Sequence, residues 1–322
     1  MRNDIELADI YLARQRLAGR ILRTPLVRST ALSRQTGTDI HLKLDCLQTT
    51  GSFKIRGALN AVLALDDEAR SRGVIGVSTG NYGRALAYAA QQLGMRAVIC
   101  MSRLVPANKV EAIRALDADV RIIGDSQDEA EVEVRRLVRE EGLVQLPPFD
   151  HPDVIAGQGT CGLEIIEDLP DVGTVVVPLS GGGLLSGIAL AMKRANPTIK
   201  VVGVTMENGC AMHASLRTGH PVQVEEVPTL ADSLGGGIGL DNRYTFEMVQ
   251  SLVDETLLVS EAEIAAAVRH AYESERLVVE GSGAVGIAAL LAGRFDRNGR
   301  VVIVVSGQNI DMNLHSQLVG VI

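Results

Sequence analysis

Thr174-Val175-Val176-Val177-Pro178-Leu179-Ser180-Gly181-Gly182-Gly183-Leu184-Leu185-Ser186-Gly187 runs from β-branched residues through three consecutive glycines into the helix-forming Ile188-Ala189-Leu190-Ala191-Met192-Lys193. Valines and threonine favour an extended backbone, and small or straight-chain aliphatics favour a helix, so the segment reads as strand, tight loop, helix. Repeated along a chain, that unit makes a parallel sheet flanked by helices. The glycines let the backbone approach an anion closely, and the N–H groups of the following helical turn point at it, which makes the loop a candidate phosphate cradle. A Gly-rich turn with no ligand would show the same residues. The loop lacks the Gly-Lys-Ser/Thr ending of a nucleotide P-loop.

The alternation continues on both sides. Gly73-Val74-Ile75-Gly76-Val77, Ala97-Val98-Ile99-Cys100 and Val120-Arg121-Ile122-Ile123 read as strands, with helical stretches from Arg84 to Gly94 and from Asn108 to Ala115 between them. They make residues of about 70 to 148 a compact α/β lobe, closed by the turn-rich Leu146-Pro147-Pro148-Phe149-Asp150. A second lobe from about residue 152 carries Val175-Val176-Val177, Val201-Val202-Gly203-Val204 and Val301-Val302-Ile303-Val304-Val305. A chain of 322 residues is long for one core and short for three domains, so two lobes are expected. No internal repeat or low-complexity tract interrupts them.

Composition narrows the function classes. Apolar residues make up 46%, enough for buried parallel strands, and the net charge of −8 without a basic cluster gives nothing to drive nucleic-acid or anionic-membrane binding. The N-terminus, Met1-Arg2-Asn3-Asp4-Ile5-Glu6, has acids where a signal peptide is apolar, and no apolar run reaches transmembrane length. Cys46, Cys100, Cys161 and Cys210 lie far apart with no metal-spaced pair, which fits free thiols in a reducing compartment. The expectation is a cytoplasmic enzyme.

Two further segments carry chemistry. In Gly51-Ser52-Phe53-Lys54-Ile55-Arg56-Gly57 a lysine stands among apolar and turn-permissive residues. Burial beside Phe53 and Ile55 would lower its pKa and free its amine to condense with an aldehyde, whereas a lysine on a solvated helix face would do neither. In Val77-Ser78-Thr79-Gly80-Asn81-Tyr82-Gly83-Arg84 a strand end meets a helix start, and the hydroxyls, the amide and the helix N–H groups suit a carboxylate. Plain N-capping by Ser78 or Thr79 would need no ligand.

Taken together with Arg23-Thr24-Pro25-Leu26, Leu42-Lys43-Leu44-Asp45-Cys46-Leu47-Gln48 and Ser306-Gly307-Gln308-Asn309, these segments resemble the β-family, or fold type II, of pyridoxal-phosphate enzymes. The likeness covers nearly the whole chain and is to the threonine/serine dehydratase and serine racemase group, in particular the dehydratases assigned to hydroxyectoine utilisation. It implies a two-lobed α/β fold like that of the tryptophan synthase β chain, with open, twisted parallel sheets flanked by helices. Residues 1–68 and 152–322 would form the large cofactor-binding domain and 69–151 a small mobile one, with the cofactor in the cleft and Lys54 and Asn81 on opposite walls. Lys54 would hold pyridoxal 5'-phosphate and, once freed by the substrate, act as the base at Cα. Phe53, Asn81, Ser180, Gly181, Gly182, Gly183, Leu184 and Ser306 would bind the cofactor, and Ser78, Thr79, Gly80, Asn81 and Tyr82 the substrate. A β-hydroxy-α-amino acid would lose water and then ammonia. Ser306 aligns with the residue that meets the pyridine nitrogen, where a hydroxyl leaves a weaker electron sink than a carboxylate would. A homodimer is expected from the resemblance alone.

Departures from the family pattern bear on these expectations. Tyr82 stands where dehydratases usually have His, and Thr79 where racemases have a serine working on the opposite face of the substrate. Racemisation with Thr79 as second catalytic group is therefore the alternative. The acids of a divalent-cation site in some relatives are replaced by Thr205 and Ala211, so no tight Mg²⁺ or Ca²⁺ site is expected. Glu280 matches an acid near the family's active site. A different class is raised by Gly281-Ser282-Gly283-Ala284-Val285-Gly286, which satisfies the dinucleotide pattern G-x-G-x-x-G, although the following strand ends in Ser306 rather than an acid. Met206, Met212 and Met248 read as core fillers and His151 as a turn residue. With Ile322 soon after the Ser306 motif, no C-terminal regulatory domain of the biosynthetic kind is expected. Substrate choice rests on a few pocket positions, here Thr79, Tyr82, Ser233 and Gly235-Gly236-Gly237, leaving L-threonine, L-serine, a hydroxyaspartate and hydroxyectoine-derived acids as candidates.

Overall fold

Strands made of consecutive valines can be buried only where both faces of a sheet are covered. The structure, a computed structural model, describes residues 5–103 and 105–321, so Met1 to Asp4 of the N-terminal reading lie outside it. Among the described residues the strands are β1 (Leu26–Arg28), β2 (Ile40–Lys43), β3 (Val74–Val77), β4 (Ala97–Met101), β5 (Asp119–Ile122), β6 (Val144–Gln145), β7 (Val172–Pro178), β8 (Lys200–Met206), β9 (Glu255–Val259) and β10 (Arg300–Val304). They form a six-stranded sheet in the order β1-β2-β10-β7-β8-β9 and a four-stranded sheet in the order β5-β4-β3-β6. All pairings are parallel except that of β1 with β2. The chain is thus α/β, with open parallel sheets flanked by helices, as its residue pattern implies.

Alternation along the strands divides the large core. Val176, Val202 and Ile303 point to the face covered by helix Gly281–Leu291, whereas Val175, Val177, Val201, Val302 and Val304 point to the face covered by helix Gly183–Ala195. In the small sheet Val74, Ile99 and Met101 pack with Leu86 of helix Asn81–Gln92, and Ile75, Val98 and Cys100 with Val134 and Leu137 of helix Gln127–Glu141. That last helix takes in most of the acidic stretch and starts at Ser126, whose hydroxyl accepts the Glu129 N–H.

Helix Lys54–Ala64 places Ile55, Ala58, Leu59 and Val62 in the core of the small sheet, and its other side meets helix Pro152–Asp168 at backbone contact. A Cβ on Gly157 would lie 2.4 Å from the Arg56 carbonyl oxygen, so only glycine allows this approach. Beneath it Arg56, fully buried, donates to both Asp45 oxygens (2.7 and 2.8 Å) and to Glu164 (2.7 and 2.8 Å), while buried Lys43 donates to Glu164 at 2.6 Å. These two cations and two carboxylates fasten the helix that begins with Lys54. The run Gly281 to Gly286 lies inside helix Gly281–Leu291, not in a strand-to-helix loop, and its glycines serve packing: a Cβ on Gly281 would strike the Leu230 carbonyl at 2.1 Å and one on Gly283 the Gly307 carbonyl at 2.6 Å. Among the described residues no helix is long and apolar enough to cross a membrane.

Candidate active site

Lys54 is the first residue of its helix, and the turn before it is stitched to the segment after β10. The Phe53 N–H donates to the Ser306 carbonyl at 2.9 Å, Ser52 and Gly307 form an antiparallel bridge, and the Gln308 N–H donates to the Gly51 carbonyl at 2.9 Å. Gly51 must be glycine here, since its φ is +74° and a Cβ would lie 2.3 Å from Asn309 Oδ1. This pairing puts Lys54 and Ser306 into one pocket wall. The Lys54 amine donates to the Pro148 carbonyl at 3.2 Å and lies 5.1 Å from the Phe53 ring centroid and 5.8 Å from that of Tyr82. Burial lowers its pKa to about 8, with the nearby Glu280 carboxylate acting in the opposite direction. About a tenth of the amine is then neutral at pH 7, and half at pH 8.

The glycine loop closes the pocket on another side, where Ser180, Gly181, Gly182, Gly183 and Leu184 all line it. Strand β7 ends where the Leu179 N–H reaches the Val204 carbonyl at 2.7 Å, Gly182 takes φ +89°, and helix Gly183–Ala195 starts at once. The first N–H groups of that helix have no intrahelical acceptor. Packing leaves no room for side chains: a Cβ on Gly181 would sit 2.4 Å from the Phe149 ring, and one on Gly183 would sit 3.0 Å from Phe149 Cα. A backbone-only cradle at a helix N-terminus, an amine of lowered pKa and the Ser306 hydroxyl together fit an aldehyde-bearing phosphate ester such as pyridoxal phosphate.

Ser78 caps helix Asn81–Gln92, as the sequence allows, from two residues before the cap position. Gly80, at φ +142°, is the cap residue, and the Ser78 hydroxyl accepts from the Gly80 and Gly83 N–H groups (2.9 and 2.7 Å). The Asn81 and Tyr82 N–H groups keep no acceptor within the helix. Asn81 lines the pocket with Lys54; Ser78, Thr79, Gly80 and Tyr82 do not, Thr79 being half-buried and Tyr82 buried with its hydroxyl donating to the Leu146 carbonyl at 2.8 Å. Of the specificity candidates Ser233 is in the wall, and Gly235, Gly236 and Gly237 are outside it.

Phe149, Leu234 and Ser282 also line the pocket; Leu234 stands in no motif, and Ser282 was read only within the G-x-G-x-x-G run. The signal for Phe149 was the Pro-Pro-Phe-Asp turn, whose carboxylate fixes it: Asp150 accepts the N–H groups of Arg243, Tyr244 and Thr245 at 2.7 to 2.9 Å. Glu280 is buried in the wall, and burial, with Asp232 nearby, pushes its pKa up to about 7. At the cation positions of some relatives, Thr205 is buried with its hydroxyl 3.3 Å from Met206 Sδ, and Ala211 is buried. No group of three or more His, Cys, Asp or Glu among the described residues could hold a metal ion.

Comparisons with known proteins agree with this geometry. Residues 17–307 match the family model described as pyridoxal-phosphate dependent enzyme. A Sinorhizobium fredii protein provisionally named threonine dehydratase is 58% identical over 98% of this chain and 96% of its own length. A Thermotoga maritima L-threonine ammonia-lyase is 46% identical over 98% of this chain and 78% of its own. Among solved structures, maize serine racemase superposes with a TM-score of 0.92 at 35% identity, covering 97% of this chain and 96% of that one.

Proposed function

Since the chain belongs to the pyridoxal-phosphate dependent enzymes, we propose that it is a lyase that removes water and then ammonia from a β-hydroxy-α-amino acid, as a threonine or serine dehydratase does. The observation that carries the reading is the Lys54 amine, of lowered pKa, in one pocket with the glycine cradle and Ser306. The backbone N–H groups of Gly181 to Leu184, with Ser180, would hold the phosphate, Phe53 and Asn81 the ring region, and Ser306 the pyridine nitrogen. Bound there, pyridoxal phosphate supplies an aldehyde that condenses with amines and a ring that withdraws electrons from the substrate's Cα.

The rest falls to the chain. Lys54 would hold the cofactor and, with its amine free, would take the proton from the substrate's Cα; its lowered pKa keeps a neutral fraction available near pH 8. The start of helix Asn81–Gln92 holds the substrate carboxylate through the N–H groups of Asn81 and Tyr82, beside Ser78, Thr79 and Gly80. The Phe149 ring covers the glycine loop and excludes water there. Ser306 would meet the ring nitrogen with a hydroxyl that can donate a hydrogen bond but not a proton, so the ring would withdraw electrons less strongly than beside an acid, which favours loss of a β-hydroxyl. We assign residues 69–151 to a small moving domain and 1–68 with 152–322 to the cofactor domain, and expect a homodimer in the cytoplasm. Hydroxyectoine breakdown is the finer proposal, and it requires a substrate whose α-amine is free.

The test is release of ammonia and 2-keto acid from L-threonine, L-serine, a β-hydroxyaspartate and hydroxyectoine-derived acids, with wild type beside Lys54→Ala. Release from one of them, lost in the variant, supports the lyase and names its substrate class. The likeness to maize serine racemase favours one second reading. Exchange of the Cα proton with solvent, without keto acid, would transfer the assignment to a racemase with Thr79 as its second catalytic group.

A further inference from the structure

Glu280 is not used in that chemistry, yet it is 3% exposed in the pocket wall, and its Oε2 has no hydrogen-bond partner among the described residues. Its Oε1 accepts from Asn81 Nδ2 at 2.6 Å. Asn81 Oδ1 accepts from Asn309 Nδ2 at 2.7 Å, and the same Asn309 nitrogen donates to the Thr50 carbonyl at 3.0 Å. Asn309 Oδ1 accepts from the Arg84 guanidinium at 2.8 Å. A guanidinium can only donate, and a carbonyl or ionised carboxylate can only accept. Both ends of the chain Arg84, Asn309, Asn81, Glu280 therefore dictate the direction of each bond between them. Turning either amide over would face donor to donor and acceptor to acceptor.

We propose that Glu280 is a positioning residue for the reaction: as the accepting end of this chain it fixes the orientation in which the Asn81 amide, whose nitrogen also reaches the Ser233 hydroxyl at 3.3 Å, lines the cofactor pocket. The inference rests on the assignment of Asn81 to the cofactor. A carboxylate does this and a carboxamide does not, because a Gln side chain presents either an oxygen or an NH₂ group to Asn81 and so removes the accept-only end. The charged and titratable groups around Glu280 are Lys54 at the start of its helix, Asp232 beside Ser233, Lys109 in an ion pair with Asp232, and the buried Cys46 thiol. Burial and Asp232 raise the Glu280 pKa to about 7 while Lys109, the Asn81 hydrogen bond and the Asn309 backbone N–H oppose them, and burial keeps Cys46 neutral by pushing it up to about 12. Ionised Glu280 thus enforces the direction from its own end, and on protonation only the Arg84 end, through Asn309 and the Thr50 carbonyl, still does so.

The experiment uses holoenzyme of wild type, Glu280→Gln, Asn81→Ala and the double variant, with Arg84→Met as a second approach from the donor end. Three quantities are measured between pH 6 and 9: the pyridoxal phosphate dissociation constant, the visible absorption of the bound cofactor, and the melting temperature. We expect Glu280→Gln to weaken cofactor binding about tenfold and to flatten the change in the absorption band around pH 7. It should add nothing to Asn81→Ala in the double variant, and Arg84→Met should behave likewise. If Glu280→Gln keeps the wild-type affinity and band while Asn81→Ala loses them, the positioning role is overturned and the place of Asn81 stands. If the two effects add, Glu280 acts without Asn81 and the proposal fails. If Asn81→Ala changes neither quantity, the inference and the assignment of Asn81 fall together.

Discussion

Replacing Gly181 by alanine tests the phosphate cradle. The new methyl carbon would lie 2.4 Å from Phe149 Cγ and Cδ1 and 2.6 Å from Cδ2, where carbon contacts belong at about 3.5–4.0 Å, so the ring must retreat by roughly 1 Å. Its backbone has little freedom to do so: Gly183 abuts Phe149 Cα, and the next residue, Asp150, is tied to three N–H groups. Overpacking of this kind costs about 1–3 kcal/mol. Because the displaced ring also lines the pocket, the cost should fall on cofactor binding, weakening it by about 5-fold to about 150-fold. Titration of apoenzyme with pyridoxal phosphate, followed by absorbance or quenching, reads this directly. Gly237→Ala is the control, since Gly237 is exposed and the nearest atom to the added carbon, the Gly239 nitrogen, would be 4.0 Å away. If Gly181→Ala bound the cofactor within twofold of wild type and melted at the same temperature, the loop would not be the close-packed cradle described.

Three other outcomes are expected. Arg56→Ala, which strands Asp45 and Glu164 in the interior, should cost about 3–5 kcal/mol in urea unfolding, and a loss below about 1 kcal/mol would mean that the cluster does not hold its helix. Lys54 has a folded pKa of about 8 against a usual 10.5, so the unfolded chain binds more protons between those values and apoenzyme stability should rise with pH across that window. The gain is up to about 3 kcal/mol, is absent below pH 8, and should vanish in Lys54→Met; equal pH slopes for the two proteins would refute it. Cys46, Cys100 and Cys161 are buried with thiols raised above their usual pKa, so a thiol reagent at pH 8 should modify Cys210 first, and rapid modification of any of the other three would contradict the packing.

The parallel sheets were legible because buried strands write themselves as continuous valine runs, as in Val175 to Val177 and Val301 to Val305, with glycine punctuation after them. The meeting of Lys54 with the glycine loop and Ser306 was legible only through the ordered motifs, since no local pattern encodes a pairing such as that of Ser52 with Gly307. Contacts between distant side chains were not legible. The bond from Asn81 to Glu280 joins two helices far apart in sequence, and Phe149 reaches Gly181 from a turn read only as a boundary. Gly281 to Gly286 shows the converse: G-x-G-x-x-G describes a dinucleotide loop only where a strand precedes it, and here the same spacing lets a helix pack at backbone distance. The Ser78 hydroxyl was read as a ligand group or a cap, and it caps: it accepts from the Gly80 N–H and from that of Gly83, the third residue of the helix, with Gly80 at φ +142° between them.

The central claim is that Lys54 carries the cofactor. Reduction of the holoenzyme with borohydride, digestion and mass spectrometry of the peptides should place the pyridoxyl group on Lys54 and on no other lysine. A pyridoxyl group on a different lysine, or none on the peptide containing Lys54, would contradict the account.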